Sequence, residues 1–114
     1  MRGAVVLVPV ERVARLARRH CERFLRRAFS AEERAQCEGR HADERLAARL
    51  AAKTAARKLF PDDRLPLSAI QVLRDEAGAP RISVHGVPDT RVFVSLSHDG
   101  GVAAAAVFVE PGAP

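Results

Sequence analysis

Alternating stretches of apolar and polar residues divide the chain into a helical first half and a strand-rich second half. An unbroken apolar run with several β-branched residues predicts a buried strand at residues 3–10. Pro9 lies in that run, and because proline cannot donate a hydrogen bond to a neighbouring strand, it indicates a sheet edge or a strand end. Apolar residues then recur at helical spacing. We predict three helices, at residues 11–28, 31–38 and 43–59.

Residues typical of helix ends support these boundaries. Ser30 and Glu33 have the spacing of a capping box, in which the two side chains satisfy free backbone N–H groups of the first turn. Asp43 is a suitable N-cap for the third helix. Phe60 precedes Pro61, and the residue before a proline is disfavoured in helical geometry, so the third helix is predicted to end there.

The second half has the pattern of antiparallel strands joined by short turns. Asp99-Gly100-Gly101 between two apolar runs is a strong hairpin signal. One strand, three helices and then more strands predict an α+β fold, with helices packed against an antiparallel sheet. The length of 114 residues predicts a single domain over residues 1–114. The later strands are predicted at residues 70–73, 81–85, 92–97 and 102–109.

Composition and charge restrict the classes of partner. The formal net charge of +5 indicates either solvated arginines or an anionic partner, such as a phosphorylated cofactor or an acidic protein. Nucleic acid is not expected, because there is no zinc-finger spacing, no basic tail and no aromatic stacking platform. Cys21 and Cys37 form neither a metal motif nor a disulfide framework. The apolar run at residues 4–8 is too short to span a membrane and resembles no signal peptide, so we expect a cytoplasmic protein.

Four segments carry motifs in a fixed order and spacing. A helix–turn–helix stretch occupies residues 22–37, and a strand with its following turn occupies residues 70–80. The segment at residues 45–55 contains Arg-Leu-Ala-Ala-Lys-Thr-Ala, which is similar to the motif R-F-A-A-K-E-A, and residues 95–99 read Ser-Leu-Ser-His-Asp, similar to the motif S-L-S-H. Over about residues 5–109 the chain therefore resembles the holo-acyl-carrier-protein synthase family of the 4'-phosphopantetheinyl transferase superfamily.

That resemblance implies transfer of 4'-phosphopantetheine from coenzyme A to a serine of an acyl carrier protein. It also implies a 4'-phosphopantetheinyl transferase-like fold and a trimer with sites between subunits. In the family, magnesium joins the coenzyme A pyrophosphate to an Asp on the first strand and a Glu in the central helix. Those positions fall on Val6 and Thr54. Magnesium prefers hard oxygen ligands such as carboxylates, so we assign no metal ligand and do not expect ordinary magnesium binding.

The family motifs also imply which residues contact the cofactor, which is coenzyme A or its phosphopantetheine arm. Arg49, Lys53 and Lys58 on the central helix are expected to meet its phosphates, because arginine grips a phosphate with two N–H groups and lysine acts as a point charge. The resemblance adds Ser97 and His98. The competing interpretation of the three cations is a solvated basic helix face.

Catalytic and docking residues follow in the same way. His98, Asp99 and Thr54 are the candidate catalytic residues for any remaining chemistry, although no sequence triad specifies a mechanism. The carrier-protein docking surface is expected on the first helix, because its arginines would steer an acidic partner and the family uses this helix. Its predicted members are Arg15, Arg19, Arg23 and Arg26.

The sequence is compatible with three hypotheses for function. The first is a divergent family member that recognises an acyl carrier protein and its arm or coenzyme A without ordinary transfer, and that acts on a carrier-bound acyl or polyketide chain. The second is a working transferase that recruits magnesium in another way. The third is a non-catalytic interaction subunit, for example in a mixed trimer with an active homologue.

Overall fold

The chain forms three α-helices and six strands within residues 1–60 and 65–111, which are the residues that this computed structural model describes, apart from the side chains of residues 20 and 21. A short 3₁₀ turn, Leu67–Ala69, precedes the second strand. The elements are β1 (Arg2–Pro9), α1 (Val10–Ala28), α2 (Ala31–Cys37), α3 (Ala42–Leu59), β2 (Ile70–Arg74), β3 (Pro80–Val84), β4 (Val87–Pro88), β5 (Val92–Asp99) and β6 (Val102–Val109).

The described strands form two antiparallel three-stranded sheets rather than the one sheet that the sequence predicted. The larger sheet has the order β1-β6-β5, and the smaller has the order β2-β3-β4. The predicted hairpin at the end of the chain is confirmed: Asp99 pairs with Val102, and the two glycines between them have φ values of 57° and 81°. Two positive φ values in a two-residue turn match the right-handed twist of the flanking strands. Pro9 is the last residue of an edge strand, as predicted.

Helix α3 covers one face of the larger sheet and forms the centre of the core. Alanines dominate the contact, which allows the helix backbone to approach the strands closely. Ala51, Ala52 and Ala55 of the helix are fully buried, and Ala103 and Ala105 of β6 are at most 1% exposed. Close packing of small side chains gives dispersion contacts without large aromatic residues. The predicted α+β architecture, with helices packed on an antiparallel sheet, is confirmed.

The opposite face of the larger sheet is apolar and open. Side chains alternate along a strand, so this face carries every second residue of β1, β5 and β6. Val5 is 67% exposed, Leu7 63%, Phe93 47% and Phe108 42%. These four residues define what we call the outer sheet face. The Phe108 ring lies over Gly3, where a Cβ atom would come within 2.5 Å of Phe108 Cδ1.

The predicted helix boundaries agree with the structure to within one residue at all six ends, but one predicted cap is wrong. The capping box is confirmed, because Ser30 Oγ accepts from the Glu33 backbone N–H (3.2 Å) and Glu33 Oε1 accepts from that of Ser30 (3.0 Å). Asp43 is not the N-cap of α3. His41 occupies that position without a side-chain bond, and Asp43 lies in the first turn, where a negative charge favours the helix dipole. The predicted end of α3 is confirmed, because the helix ends at Leu59 and Phe60, the residue before Pro61, has an extended backbone with φ −86° and ψ 144°.

Candidate functional site

Val6, where the resemblance implies a metal-binding Asp, lies on the covered side of the larger sheet. It pairs with Ala105, which in turn pairs with Leu96 on β5. Its side chain is half-buried and packs against the core cluster. A valine side chain offers no donor or acceptor, so this position contributes only to packing.

Thr54, where the resemblance implies a metal-binding Glu, uses its hydroxyl within α3. The Oγ1 group donates to the Leu50 carbonyl at 2.8 Å, which is a common arrangement for a threonine inside a helix. Among the residues whose side chains are described, no group of three or more His, Cys, Asp or Glu could hold a metal ion. A valine and an internally bonded threonine do not fit magnesium, which takes oxygen ligands, usually including a carboxylate.

Lys53 is fully buried, which corrects the prediction that it contacts a cofactor phosphate. Its ammonium group donates to Oε1 of Glu33, and both side chains are 0% exposed. Glu33 Oε2 also accepts from the backbone N–H of Val72 at 2.9 Å. Burial lowers the pKa of Lys53, while the charge of Glu33 opposes that shift. Lys53 therefore joins α2, α3 and β2 inside the fold and has no open approach for a ligand.

Arg49 is also held by hydrogen bonds within the fold, and its predicted contact with a cofactor phosphate stays a prediction. The residue is 2% exposed. Its Nε donates to the Val72 carbonyl and its Nη2 to Gln36 Oε1, each at 2.9 Å. Because the bonds of both cations lead to β2, which is distant along the chain, no local sequence pattern could have revealed the role of either one. The capping-box spacing identified Glu33 but not its burial.

Lys58, Ser97, His98 and Asp99 are all exposed and remain available to a ligand. Strand alternation places Ser97 and Asp99 on the outer face of the sheet and His98 on the opposite face, in one row with Val8. The predicted Ser97–His98 pair is therefore divided between the two faces.

Lys58 and His98 lie at opposite ends of the larger sheet. Arg2 Nη2 donates to the Leu59 carbonyl at 2.5 Å, so α3 ends where β1 begins. Val92 at the start of β5 pairs with Val109 at this same end, whereas His98 is near the other end of the strand. Seven residues of antiparallel strand extend roughly 20 Å. One copy of the chain does not bring these two predicted cofactor contacts together.

The predicted docking arginines on α1 are all exposed, namely Arg15, Arg19, Arg23 and Arg26. Two acidic residues of this helix pair with arginines, and one of those arginines is the docking residue Arg26. Glu11 pairs with Arg18 at 2.8 Å, and that hydrogen bond holds the pKa of Glu11 below its usual value. Glu22 accepts from Arg34 at 2.8 Å and lies 3.6 Å from Arg26. The helix therefore presents a surface of positive charge.

No helix within the described ranges combines the length and the apolar character needed to cross a membrane.

Comparison with known proteins first defines the class. Residues 7–107 match the model of the 4'-phosphopantetheinyl transferase superfamily. The fold agrees with that of a Helicobacter pylori holo-[acyl-carrier-protein] synthase solved in complex with coenzyme A, with a TM-score of 0.82 and 23% identity over 96% of this chain and 100% of that one. The fold is thus that of a 4'-phosphopantetheinyl transferase.

Sequence relatives then define the family. A holo-[acyl-carrier-protein] synthase from Nocardia farcinica is 37% identical over 120 residues, covering 91% of this chain and 83% of that protein. One from Anaeromyxobacter dehalogenans is 40% identical over 102 residues, covering 82% of this chain and 80% of that protein. The chain belongs to the holo-acyl-carrier-protein synthase family.

Proposed function

We propose that this chain recognises an acyl carrier protein and coenzyme A, or the phosphopantetheine arm derived from it, without ordinary magnesium-dependent transfer. Membership of the holo-acyl-carrier-protein synthase family supports the first part. The Helicobacter pylori relative, whose fold this chain shares, was solved with coenzyme A bound. The second part rests on the family motifs, whose register puts Val6 and Thr54 at the two metal-ligand positions.

The missing carboxylates matter because phosphoryl transfer develops negative charge on phosphate oxygens. A metal ion neutralises that charge and aligns the attacking and leaving oxygens. Val6 has no ligand atom, and the Thr54 hydroxyl is neutral and bonded to Leu50. Each 1.4 kcal/mol of lost transition-state stabilisation lowers the rate about tenfold. We therefore expect binding to persist more readily than transfer.

Self-association completes the proposed binding site. Lys58 and His98 lie at opposite ends of the sheet in one copy, so they could face one ligand only if different subunits supplied them. The exposed apolar outer sheet face supports such an assembly, because extended apolar patches of this kind mark interaction sites. We propose the trimer implied by the family resemblance. A mixed trimer with an active homologue would use the same face and is a second outcome of the same measurement.

Carrier-protein docking is proposed on α1. Arg15, Arg19 and Arg23 are exposed, and positive charge accelerates the encounter with an acidic partner. The cytoplasmic location expected from the sequence remains a prediction. Action on a carrier-bound acyl or polyketide chain also remains a prediction, and none of the described residues indicates such a substrate.

A transfer assay and a binding measurement together test the two parts of this proposal. The chain is incubated with coenzyme A, magnesium and an apo-acyl carrier protein, and the mass of the carrier is measured, with the Nocardia farcinica relative as the active control. Binding of the carrier and of coenzyme A is measured separately by calorimetry. We expect binding without a gain in carrier mass. Gain of the phosphopantetheine arm would contradict the loss of ordinary transfer, and failure to bind either molecule would contradict recognition.

A further inference from the structure

A groove rich in arginine lies between α2, α3 and β2, on a different side of α3 from Lys58. Its volume is about 330 Å³, and it opens to solvent. Gln36 links its walls, since Oε1 accepts from Arg49 Nη2 and from the Arg74 backbone N–H, each at 2.9 Å. The lining residues, which we call the arginine groove, are Gln36, Arg45, Arg49 and Arg74.

The three guanidinium groups of this groove have only neutral hydrogen-bond partners in the described part of the chain. No ion pair to a carboxylate is formed by any of them within residues 1–60 and 65–111, whereas arginines elsewhere, such as Arg81 on Asp75, do form one. The acceptors for Arg45, Arg49 and Arg74 are the carbonyl oxygens of Glu38, Val72 and Gly78 and the side-chain oxygen of Gln36.

The buried part of this cluster contains more positive than negative charge. Arg49 is 2% exposed, and beside it Lys53 and Glu33 are fully buried and neutralise each other. Burial of a cation is costly unless a counter-charge compensates for it. The one buried carboxylate is already paired with Lys53, so Arg49 has no counter-ion of its own. An anion that enters the groove would supply that charge.

Helix geometry separates the groove from the position of the family's metal ligand. Arg45, Arg49 and Lys53 are spaced four residues apart and lie on one stripe of α3. At about 100° per residue, Thr54 is rotated roughly 140° from Arg49, and Lys58 roughly 180°. The groove is thus on the side of α3 that faces α2 and β2.

We infer that the arginine groove binds a phosphate group and that this site is distinct from the coenzyme A site proposed above. Arginine forks donate pairs of N–H groups to phosphate oxygens, and a doubly charged phosphate gains more than a single carboxylate from three cations. The open volume admits either inorganic phosphate or a small phosphate monoester. Occupancy would stabilise the junction of α2, α3 and β2, which Gln36 and Arg49 hold together.

The test uses the full chain and inorganic phosphate at constant ionic strength. A groove variant, Arg45→Gln with Arg74→Gln, removes two exposed cations but keeps Arg49 for folding. The matched control, Arg27→Gln with Arg57→Gln, removes the same charge from exposed helix positions away from the groove. Phosphate should raise the unfolding temperature of the wild type and of the control in a saturable way. The groove variant should bind at least tenfold more weakly.

Additional binding measurements identify the anion and the location of the site. Glycerol 3-phosphate in place of inorganic phosphate distinguishes a monoester from free phosphate by relative affinity, and acetate tests a carboxylate. Phosphate affinity should be unchanged at saturating coenzyme A. The inference is wrong if phosphate does not bind saturably, if the groove variant equals the control, or if acetate binds as well as phosphate. Displacement of phosphate by coenzyme A would disprove a separate site.

Discussion

Lys53 of α3 donates its ammonium hydrogen to Glu33 of α2 at a point where neither side chain has any exposed surface. The carboxylate of Glu33 also accepts from the backbone N–H groups of Ser30 and Val72, so it connects the start of α2 to strand β2. The Lys53 ammonium lies 5.0 Å from the centroid of the Phe29 ring, a distance typical of a cation–π contact. One ion pair therefore holds together two helices and the smaller sheet.

Removal of the cation from this pair should strongly destabilise the fold. In Lys53→Met the apolar stem is retained, but the Glu33 carboxylate stays buried without a counter-charge. Loss of one member of a buried pair costs about 3–5 kcal/mol. The free energy of unfolding in urea should fall by that amount. Lys58→Met, on the exposed side of the same helix, should change it by less than about 0.5 kcal/mol.

The opposite interpretation gives a different result in the same experiment. If Lys53 bound a cofactor phosphate, as the family motif implied, its ammonium group would have no counter-charge in the free protein. Lys53→Met would then remove an unpaired cation. The variant would then unfold at a urea concentration equal to or above that of the wild type, while losing affinity for coenzyme A.

Local periodicity predicted the helices and strands of this fold. The features that it did not predict depend on contacts between residues distant in the sequence. The hairpin at Gly100 and the capping box at Ser30 depend on neighbouring residues alone, so both were predictable. The division into two sheets depends on which distant strands pair. The burial of Arg49 and Lys53 depends on β2, more than fifteen positions further along the chain, and helical spacing does not specify which stripe that strand covers.

For the candidate site, the sequence predicted the element in which a residue lies better than it predicted the role of that residue's side chain. Val6 and Thr54 lie in the predicted strand and helix, β1 and α3, while their assignment to the metal-ligand positions stays a prediction. The separation of Lys58 from His98 was not predictable. It arises because α3 ends beside the start of β1, whereas His98 lies at the opposite end of the sheet.

Charge reversal on α1 should weaken association with an acidic carrier protein. In Arg19→Glu with Arg23→Glu, two exposed cations of the proposed dock become anions, which repel the partner during encounter. The association rate measured by surface plasmon resonance should fall at least tenfold at low salt, and the difference should shrink at high salt. Arg40→Glu with Arg57→Glu, at two exposed positions outside α1, provides the control for net charge. An association rate in the α1 variant equal to that of the control would refute docking on this helix.

A charge placed on the outer sheet face should prevent self-association. Leu7 is 63% exposed in one copy, so Leu7→Lys should fold, but an assembly through this face would bury its charge among apolar groups. Sedimentation should show a trimer for the wild type and a monomer for the variant. Val87→Lys, at an equally exposed apolar position of the smaller sheet, should remain trimeric. A monomeric wild type, or a trimeric Leu7→Lys variant, would contradict the proposed interface.

Acid should destabilise the β2–β3 turn through Asp75. Its Oδ2 accepts from Arg81 Nε at 3.0 Å and its Oδ1 from the backbone N–H groups of Ala77 and Ala79, and these bonds lower the pKa of Asp75, with the Arg81 bond as the largest cause. A lowered folded-state pKa contributes stability that is present above the unfolded value of about 3.9 and is lost as pH falls through the folded value.

The free energy of unfolding of the wild type should therefore decrease more steeply below about pH 4 than that of Asp75→Asn. At neutral pH the variant should be the less stable of the two, and the difference should narrow in acid. Arg81→Gln removes the main cause of the shift, so its acid profile should resemble that of Asp75→Asn. Parallel profiles for all three proteins would show that this carboxylate does not contribute to the acid response.

Restoring both carboxylates should make the chain respond to magnesium. In Val6→Asp with Thr54→Glu, two negative charges enter a half-buried region, so the variant should be less stable than the wild type without a divalent ion. Magnesium that binds only the folded state should recover about 2.7 kcal/mol at one hundred times its dissociation constant. If coenzyme A also binds, the variant should transfer phosphopantetheine to the carrier serine. The mass of the carrier should then increase. The neutral variant Val6→Asn with Thr54→Gln should show neither effect. If the acidic variant ignored magnesium as well, the loss of these two carboxylates would not be what separates this chain from a working transferase.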